Sequence, residues 1–295
     1  MLFMQHNIII HTTPVDNPSP GLYNRDAYFK EDVLLMKHYA LIGEKLGHSL
    51  SVPIHEAIFR RLGIAADYRL IEIPRDRLAY EVADLLATLD GFNVTIPYKR
   101  DVIPLLDETD PAALAIGAVN TVVTGSVSVG YNTDVTGFMA MLRRYGIDPA
   151  DKPCYVLGSG GTSHTAVAAL HRMGAKSVTV VSRHPGEEEI SYAQLEKEFS
   201  GVLVNTTPAG MLYQQDTCPI RREALPALLA RATGVADVIY NPAETPLVAA
   251  ARAAGVPACH GLYLLVAQAV EAEALWQGRP MPEDLTDRLM EEIHL

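Results

Sequence analysis

The chain reads as an α/β protein made of two α/β domains, and three features of the sequence say so. From His38 onward, short apolar runs of strand length alternate with apolar residues at helical spacing. That β-α-β order implies mostly parallel sheets covered by helices. A glycine-rich turn, Gly158 to Ser163, stands between a buried-type strand and a helix. A hairpin-like segment near residues 117–131 separates the two regular stretches. With 295 residues, the chain has room for two domains of roughly 100–200 residues each.

Residues 1–36 carry turn and linker chemistry, as in His11-Thr12-Thr13-Pro14-Val15-Asp16-Asn17-Pro18-Ser19-Pro20-Gly21, and read as an N-terminal extension. A strand is expected over 39–42, then a loop over 43–51. Ile54, Ala57, Ile58 and Leu62 share one helical face, and Gly63 closes that helix. A strand over 68–73, a helix over 78–89 and a strand over 92–96 follow. Pro97 ends the last, because proline has no N–H to give a sheet. Residues 121–124 and 127–131 read as a hairpin around Gly125-Ser126. Asn132-Thr133-Asp134 ends it and opens a helix over 136–145.

The first domain is thus expected over 37–137 and the second over 138–261. Strands are expected at 154–157, 177–181, 202–205, 235–239 and 257–259. Helices are expected at 165–173 and 246–254, the second with Thr245 as N-cap and Pro246 at its first position. Helices over 264–276 and 284–292 close the chain, and 186–189 reads as an acidic surface turn.

Composition narrows the function. The formal net charge of -11 argues against nucleic-acid or anionic-membrane partners. No apolar run approaches the ~18 residues of a membrane span, and the first residues lack a basic, signal-like start. Cys154, Cys218 and Cys259 are odd in number and far apart, which fits a reducing, cytoplasmic setting without disulfides. The ten histidines show no ligand spacing, so no metal is expected. A small-molecule substrate is the expected partner. The oligomeric state is left open, with a homodimer as one expectation.

Chemistry concentrates in two stretches. Asn93-Val94-Thr95-Ile96-Pro97-Tyr98-Lys99 offers an amide, a hydroxyl and an amine at a strand end, the edge where α/β sheets bind ligands. Gly158-Ser159-Gly160-Gly161-Thr162-Ser163 has the strand–turn–helix setting of a dinucleotide site. There the glycines allow close backbone approach and the helix N-terminus attracts a pyrophosphate. An NAD site would normally carry an acid about 20 residues on. Here the next strand ends in Ser182-Arg183-His184. A base in place of the acid suits the 2′-phosphate of NADP, so NADP is expected over NAD.

These pieces resemble the shikimate dehydrogenase family over most of residues 38–280. The resemblance is carried by Gly47-His48-Ser49-Leu50-Ser51, Asn93 to Lys99, Gly117-Ala118-Val119-Asn120-Thr121, Asn132-Thr133-Asp134 and the Gly158 turn. Asn205-Thr206-Thr207-Pro208-Ala209-Gly210-Met211, Asp237-Val238-Ile239-Tyr240 and Gly261-Leu262-Tyr263-Leu264-Leu265-Val266-Ala267-Gln268 complete the collinear set. It implies a substrate-binding domain, completed by the C-terminal helices 262–295, and a Rossmann-type domain flanking a cleft. It implies NADP-dependent reduction of 3-dehydroshikimate, with Lys99 and Asp134 as the catalytic pair. Ser49, Ser51 and Tyr240 would take the substrate carboxylate. Asn93, Thr95, Asn120, Asp134 and Gln268 would hold ring hydroxyls. Gly158, Ser159, Gly160, Gly161, Thr162, Ser182, Arg183, His184, Val238 and Gly261 would line the NADP site.

Plainer readings exist for single residues. Ser49 and Ser51 suit a helix cap, Asn120 and Asn132 suit turns, Asp134 suits a helix N-terminus, and Gln268 suits a helix surface. His48 and His55 read as structural. The chain departs from the family pattern at Ser51-Val52, at Ser182-Arg183-His184, and at Tyr263-Leu264, where relatives carry Gly-Met beside the nicotinamide. A tyrosine at 263 has room either to reshape the cleft or to change how the nicotinamide ring docks, and its effect is left open. The alternatives are a quinate/shikimate or aminoshikimate-type enzyme, a non-catalytic NADP-sensing regulator, and a related dehydrogenase acting on a folate carbon unit.

Overall fold

The structure, a computed structural model, describes residues 36–47 and 49–293. The extension expected over 1–36 lies outside the described residues apart from Met36, as does His48.

The first half contains β1 (Lys37–Gly43), α1 (Ser51–Leu62), β2 (Ala66–Glu72), α2 (Leu78–Thr88), β3 (Gly91–Val94), β4 (Glu108–Thr109), α3 (Pro111–Ile116), β5 (Thr121–Val123) and β6 (Val129–Tyr131). Its sheet runs β2-β1-β3-β5-β6-β4. β1 pairs in parallel with β2 and β3, and β5 is antiparallel to both β3 and β6. The expected hairpin is therefore present. α4 (Thr133–Arg144) leads to the second half.

There, β7 (Pro153–Leu157), α5 (Gly161–Arg172), β8 (Ser177–Ser182), β9 (Glu189–Ser191), α6 (Tyr192–Glu198), β10 (Gly201–Asn205), α7 (Leu225–Leu229), β11 (Ala232–Asp237), α8 (Pro246–Ala253) and β12 (Ala258–Cys259) follow in order. All strands of the sheet β12-β11-β10-β7-β8-β9 are parallel. α9 (Leu262–Gln277) and α10 (Leu285–Glu292) end the described chain.

Several boundaries move for local reasons. β3 stops at Val94, two residues short of the expected end. Ile96, which would have continued it, is 69% exposed at the turn. α4 begins at Thr133 because the Asn132 side chain caps it, accepting from Val135 N at 3.3 Å. α5 begins at Gly161, ahead of its apolar periodicity, with Gly160 as a side-chain-free N-cap. The acidic turn runs into the edge strand β9. α3 was not expected from its apolar hexapeptide, although Asp110 caps it through Ala112 N and Ala113 N and Pro111 takes its first position.

Two helices knit the halves together. α4 and α9 cross at Gly137, where an added Cβ would stand 2.9 Å from the Leu264 carbonyl oxygen and 3.0 Å from Gln268 N. Only glycine permits that approach. Val135, Phe138 and Met141 of α4 pack with Cys154, Val156, Val204 and Ala236 of the second sheet. α9 then reaches back to the first sheet. Trp276 stacks on Tyr39 at 4.4 Å and donates its indole N–H to the Val122 carbonyl at 2.9 Å. The register sets Gly91 opposite Tyr39, and the space above Gly91 is filled by the Trp276 ring.

Replacing Gly91 by alanine drives a methyl group into that indole. Gly91→Ala is expected to cost about 1–3 kcal/mol of unfolding free energy, the usual cost of overpacking a filled core. Urea denaturation followed by Trp276 fluorescence measures it.

Candidate active site

The candidate residues sit at the carboxyl ends of parallel strands, where open α/β sheets bind ligands. Ser49 and Ser51 follow β1, and Thr95 and Lys99 follow β3. The turn from Gly158 follows β7, Ser182 ends β8, Asn205 ends β10, Val238 follows β11 and Gly261 follows β12.

Lys99 is placed by its backbone first. Its carbonyl accepts Val119 N at 2.7 Å, next to Asn120. Its ammonium then meets Asp134 Oδ2 at 2.6 Å, with both side chains only partly exposed. Asp134 lies in the first turn of α4, near the positive end of the helix dipole. The pair therefore joins the end of β3 to the start of α4 across 35 positions of chain.

A buried polar network backs the pair. The Asn120 amide accepts Thr133 N at 2.7 Å and donates to Thr133 Oγ1 at 3.0 Å. It also donates to Gln268 Oε1 at 3.4 Å. Gln268 in turn donates to the Leu265 carbonyl at 2.9 Å. Asn93 is buried, and its polar atoms are taken up by protein. Its Oδ1 accepts the Tyr68 hydroxyl at 2.7 Å, and its Nδ2 donates to the Asn120 carbonyl and to Thr121 Oγ1. Tyr68, Thr121 and Thr133 carry no site role in the sequence motifs. Thr121 and Thr133 stand inside motifs already singled out, but Tyr68 carried no signal apart from its place on a strand.

At the other end of this edge, Ser49 Oγ donates to Ser51 Oγ at 3.0 Å and accepts Ser51 N at 3.2 Å. α1 starts here with Leu50 as N-cap, without a side-chain cap and with no acid in its first turn. Its positive dipole end suits an anion. Tyr240 is half-buried against the apolar cluster of Ile54, Leu262 and Val266, alongside Leu50. Thr95 is half-buried, its N–H held by the Ile42 carbonyl at 2.9 Å.

The glycine turn has the shape a pyrophosphate needs. Gly158 adopts a φ of +99°, a region that L side chains rarely adopt. Ser159, Gly160, Gly161 and Thr162 are exposed, and a Cβ added at Gly160 or Gly161 would meet nothing within 4 Å. The N-terminus of α5 has no side-chain cap. Gly158 N donates to the Val181 carbonyl at 2.9 Å, which sets the end of β8 beside the turn. Arg183 and His184 stand exposed just past it. Next to the turn, a cavity of about 400 Å³ is lined by Ala112 and Ile116 of α3 and by Ser159, Ser163 and His164. These residues fit a dinucleotide phosphate with an additional phosphate near Arg183.

Asp237 braces the far side of this edge. It is fully buried at the end of β11, where it accepts Asn205 Nδ2, Ile239 N and Thr245 Oγ1 at 3.1, 3.1 and 2.8 Å. Asn205 Oδ1 in turn accepts Thr207 N at 3.0 Å, and Thr206 and Thr207 flank Gly158. Val238 and Gly261 touch so closely that a Cβ on Gly261 would overlap the Val238 carbonyl. Tyr263 faces inward. Its ring is buried, edge-on to Tyr145 at 6.1 Å, in the cluster beneath α4. It belongs to the core.

The family model for the shikimate dehydrogenase substrate binding domain matches residues 41–122. Shikimate dehydrogenase (NADP(+)) of Clostridium beijerinckii is 36% identical over 265 residues, covering 86% of this chain and 97% of that protein. The chain belongs to the shikimate dehydrogenase family. Among solved members, the chorismate mutase/shikimate 5-dehydrogenase fusion protein from Clostridium acetobutylicum superposes with a TM-score of 0.83 at 39% identity, over 88% of this chain and 97% of that one. Shikimate 5-dehydrogenase from Thermus thermophilus, solved in complex with NADP(H) and shikimate, superposes with a TM-score of 0.77 at 28% identity, over 88% and 100%.

The family's glycine turn is braced here by an acid with a shifted titration. Burial, which outweighs the three donated hydrogen bonds, pushes the Asp237 carboxyl from 3.8 up to about 6. The folded state therefore holds this proton more tightly than the unfolded one. Below pH ~4 both states are protonated and there is no penalty. As pH rises to about 6 the unfolded state ionises first, and stability falls by on the order of 3 kcal/mol from this group. Asp237→Asn is expected to lose that component. Urea denaturation of both proteins between pH 4 and 7 measures the difference.

Proposed function

We propose that the protein is an NADP-dependent shikimate dehydrogenase that reversibly reduces 3-dehydroshikimate to shikimate, a step of aromatic amino acid biosynthesis. The observation that carries this is the 2.6 Å contact between Lys99 and Asp134 at the same kind of sheet edge that presents the glycine turn.

In this reading residues 37–137 and the helices from 262 onward bind substrate, and 138–261 bind NADP. Bound NADP supplies the hydride acceptor for oxidation, and its reduced form the donor for reduction. Lys99 takes up the proton that the substrate hydroxyl loses. In reduction its ammonium protonates the developing alkoxide and stabilises its charge. Asp134 orients the Lys99 amine through their hydrogen bond, so the two act as one relay. The hydroxyls of Ser49 and Ser51 and the uncapped start of α1 take the substrate carboxylate, with Tyr240 beside them. Thr95, Asn120, Asp134 and Gln268 face the ring hydroxyls. Asn93 stands with them, and its own bonds also orient Asn120 and Thr121. Exposed Arg183 takes the 2′-phosphate of NADP, with Ser182 and His184 beside it, while Gly158 to Thr162, Val238 and Gly261 line the cofactor. The three cysteines are free, in keeping with a cytoplasmic enzyme. The oligomeric state is open, with a homodimer as one expectation, and light scattering measures it.

A quinate-using or aminoshikimate-type enzyme is the nearest alternative. Steady-state kinetics with shikimate and quinate, each with NADP and NAD, separates them. Absence of shikimate turnover with either cofactor overturns the proposal. Lys99→Ala is expected to lower kcat by roughly 10²–10⁴-fold, the range for a positioned acid–base group, while NADP binding by fluorescence titration persists. A regulator that only senses NADP would show binding without turnover in the wild type. Arg183→Ala is expected to raise KM for NADP about tenfold or more and to leave KM for NAD unchanged, because it removes a charge-assisted contact to the 2′-phosphate alone.

A further inference from the structure

α9 is largely apolar, yet it buries one acid completely. Glu273 has no exposed side-chain surface, and neither has His55 of α1, whose Nδ1 lies 2.9 Å from Glu273 Oε1. Burying a carboxylate is costly unless it is paired, and an apolar side chain of similar size fills such a space at lower cost. Packing alone does not account for the couple.

Its geometry leads toward the substrate edge. Glu273 Oε2 accepts Gln277 Nε2 at 3.2 Å, which leaves Oε1 aimed at His55. The His55 ring lies flat on Tyr68, with centroids 4.0 Å apart and planes 6° from parallel. The hydroxyl of Tyr68 donates to Asn93 Oδ1 at 2.7 Å. The amide of Asn93 donates to the Asn120 carbonyl and to Thr121 Oγ1 at 3.1 and 3.0 Å. The amide of Asn120 in turn accepts the N–H of Thr133, the residue before Asp134. On α1, His55 stands one turn beyond Ser51.

We infer that Glu273, His55 and Tyr68 are positioning residues that set the polar wall of the substrate side. Glu273 locks the orientation of the His55 ring by accepting its Nδ1–H. The ring holds the plane of Tyr68, and the Tyr68 hydroxyl fixes which way the Asn93 amide faces. None of the three touches substrate. Without the Tyr68 hydroxyl, Asn93 Oδ1 is left buried without its donor, and the amide that orders Asn120 and Thr121 is free to turn.

This rests on the polyol reading of the site, so wild-type turnover of shikimate with NADP is measured first and decides that reading on its own. If quinate proves to be the substrate, the same ratios are read with quinate. Tyr68→Phe keeps the stacked ring and removes only the hydroxyl. It is expected to raise KM for the polyol roughly three- to tenfold, the range of one lost hydrogen bond, with kcat and KM for NADP at wild-type values. Glu273→Leu is expected to reproduce that split, and Glu273→Gln, which keeps an acceptor for His55, to restore wild-type KM. A role confined to stability would lower the melting temperature and leave KM alone. An unchanged polyol KM in Tyr68→Phe, or an equal change in both KM values, overturns the inference. Tyr68→Phe carries the decision if Glu273→Leu does not fold.

Discussion

The crossing of α4 and α9 at Gly137 is the constraint on which the site depends. Glycine lets the two backbones approach until α4 rests on the Leu264 carbonyl and on Gln268. One turn earlier on α4 stands Asp134, and the same stretch of α9 presents Gln268. The close approach therefore delivers the acid to Lys99 and the amide of Gln268 to Asn120. Because α4 also packs on the second sheet, the height of Asp134 is tied to the edge that carries the glycine turn.

The polar groups near this crossing show how a fold can bury hydrogen-bonding side chains without orphaning them. Asn93, Asn120, Thr121 and Thr133 are all buried, and each is bonded to at least one of the others. Buried polar networks are stabilising only when satisfied. A site that must bind a polyol needs such rigid groups close behind those that touch the ligand, since a displaced amide loses both its internal bond and its use. On the cofactor side Asp237 does similar work through Asn205, holding the loop that passes Gly158.

Much of this was legible in the sequence because it rests on local rules. The strand–turn–helix at Gly158, the Thr245-Pro246 helix start and the hairpin around Gly125 follow from glycine, proline and capping chemistry, and all are present. Lys99 and Asp134 were paired through resemblance, and the structure brings them into contact. Less legible were the elements whose signals are short or apolar throughout. α3 and α7 have six and five residues, too few for periodicity to speak. The packing of Tyr263 was illegible for a different reason. Its position in a motif says nothing of which way a helix turns, and α9 turns it into the core against Tyr145.

By itself the sequence determined the alternation of strands and helices, the glycine-rich strand–turn–helix, the basic residue past β8 and the residue types of the candidate edge. Each is set by neighbours a few positions away, through backbone geometry and capping. Only the tertiary structure decided that Asn93 bonds Asn120 and Thr121 through its amide, that Glu273 and His55 meet 218 positions apart, that Asp237 is buried enough to raise its carboxyl to about 6, and that Tyr263 is core. Those depend on which surfaces are removed from water together, and burial is a property of the packed chain, not of any stretch of it.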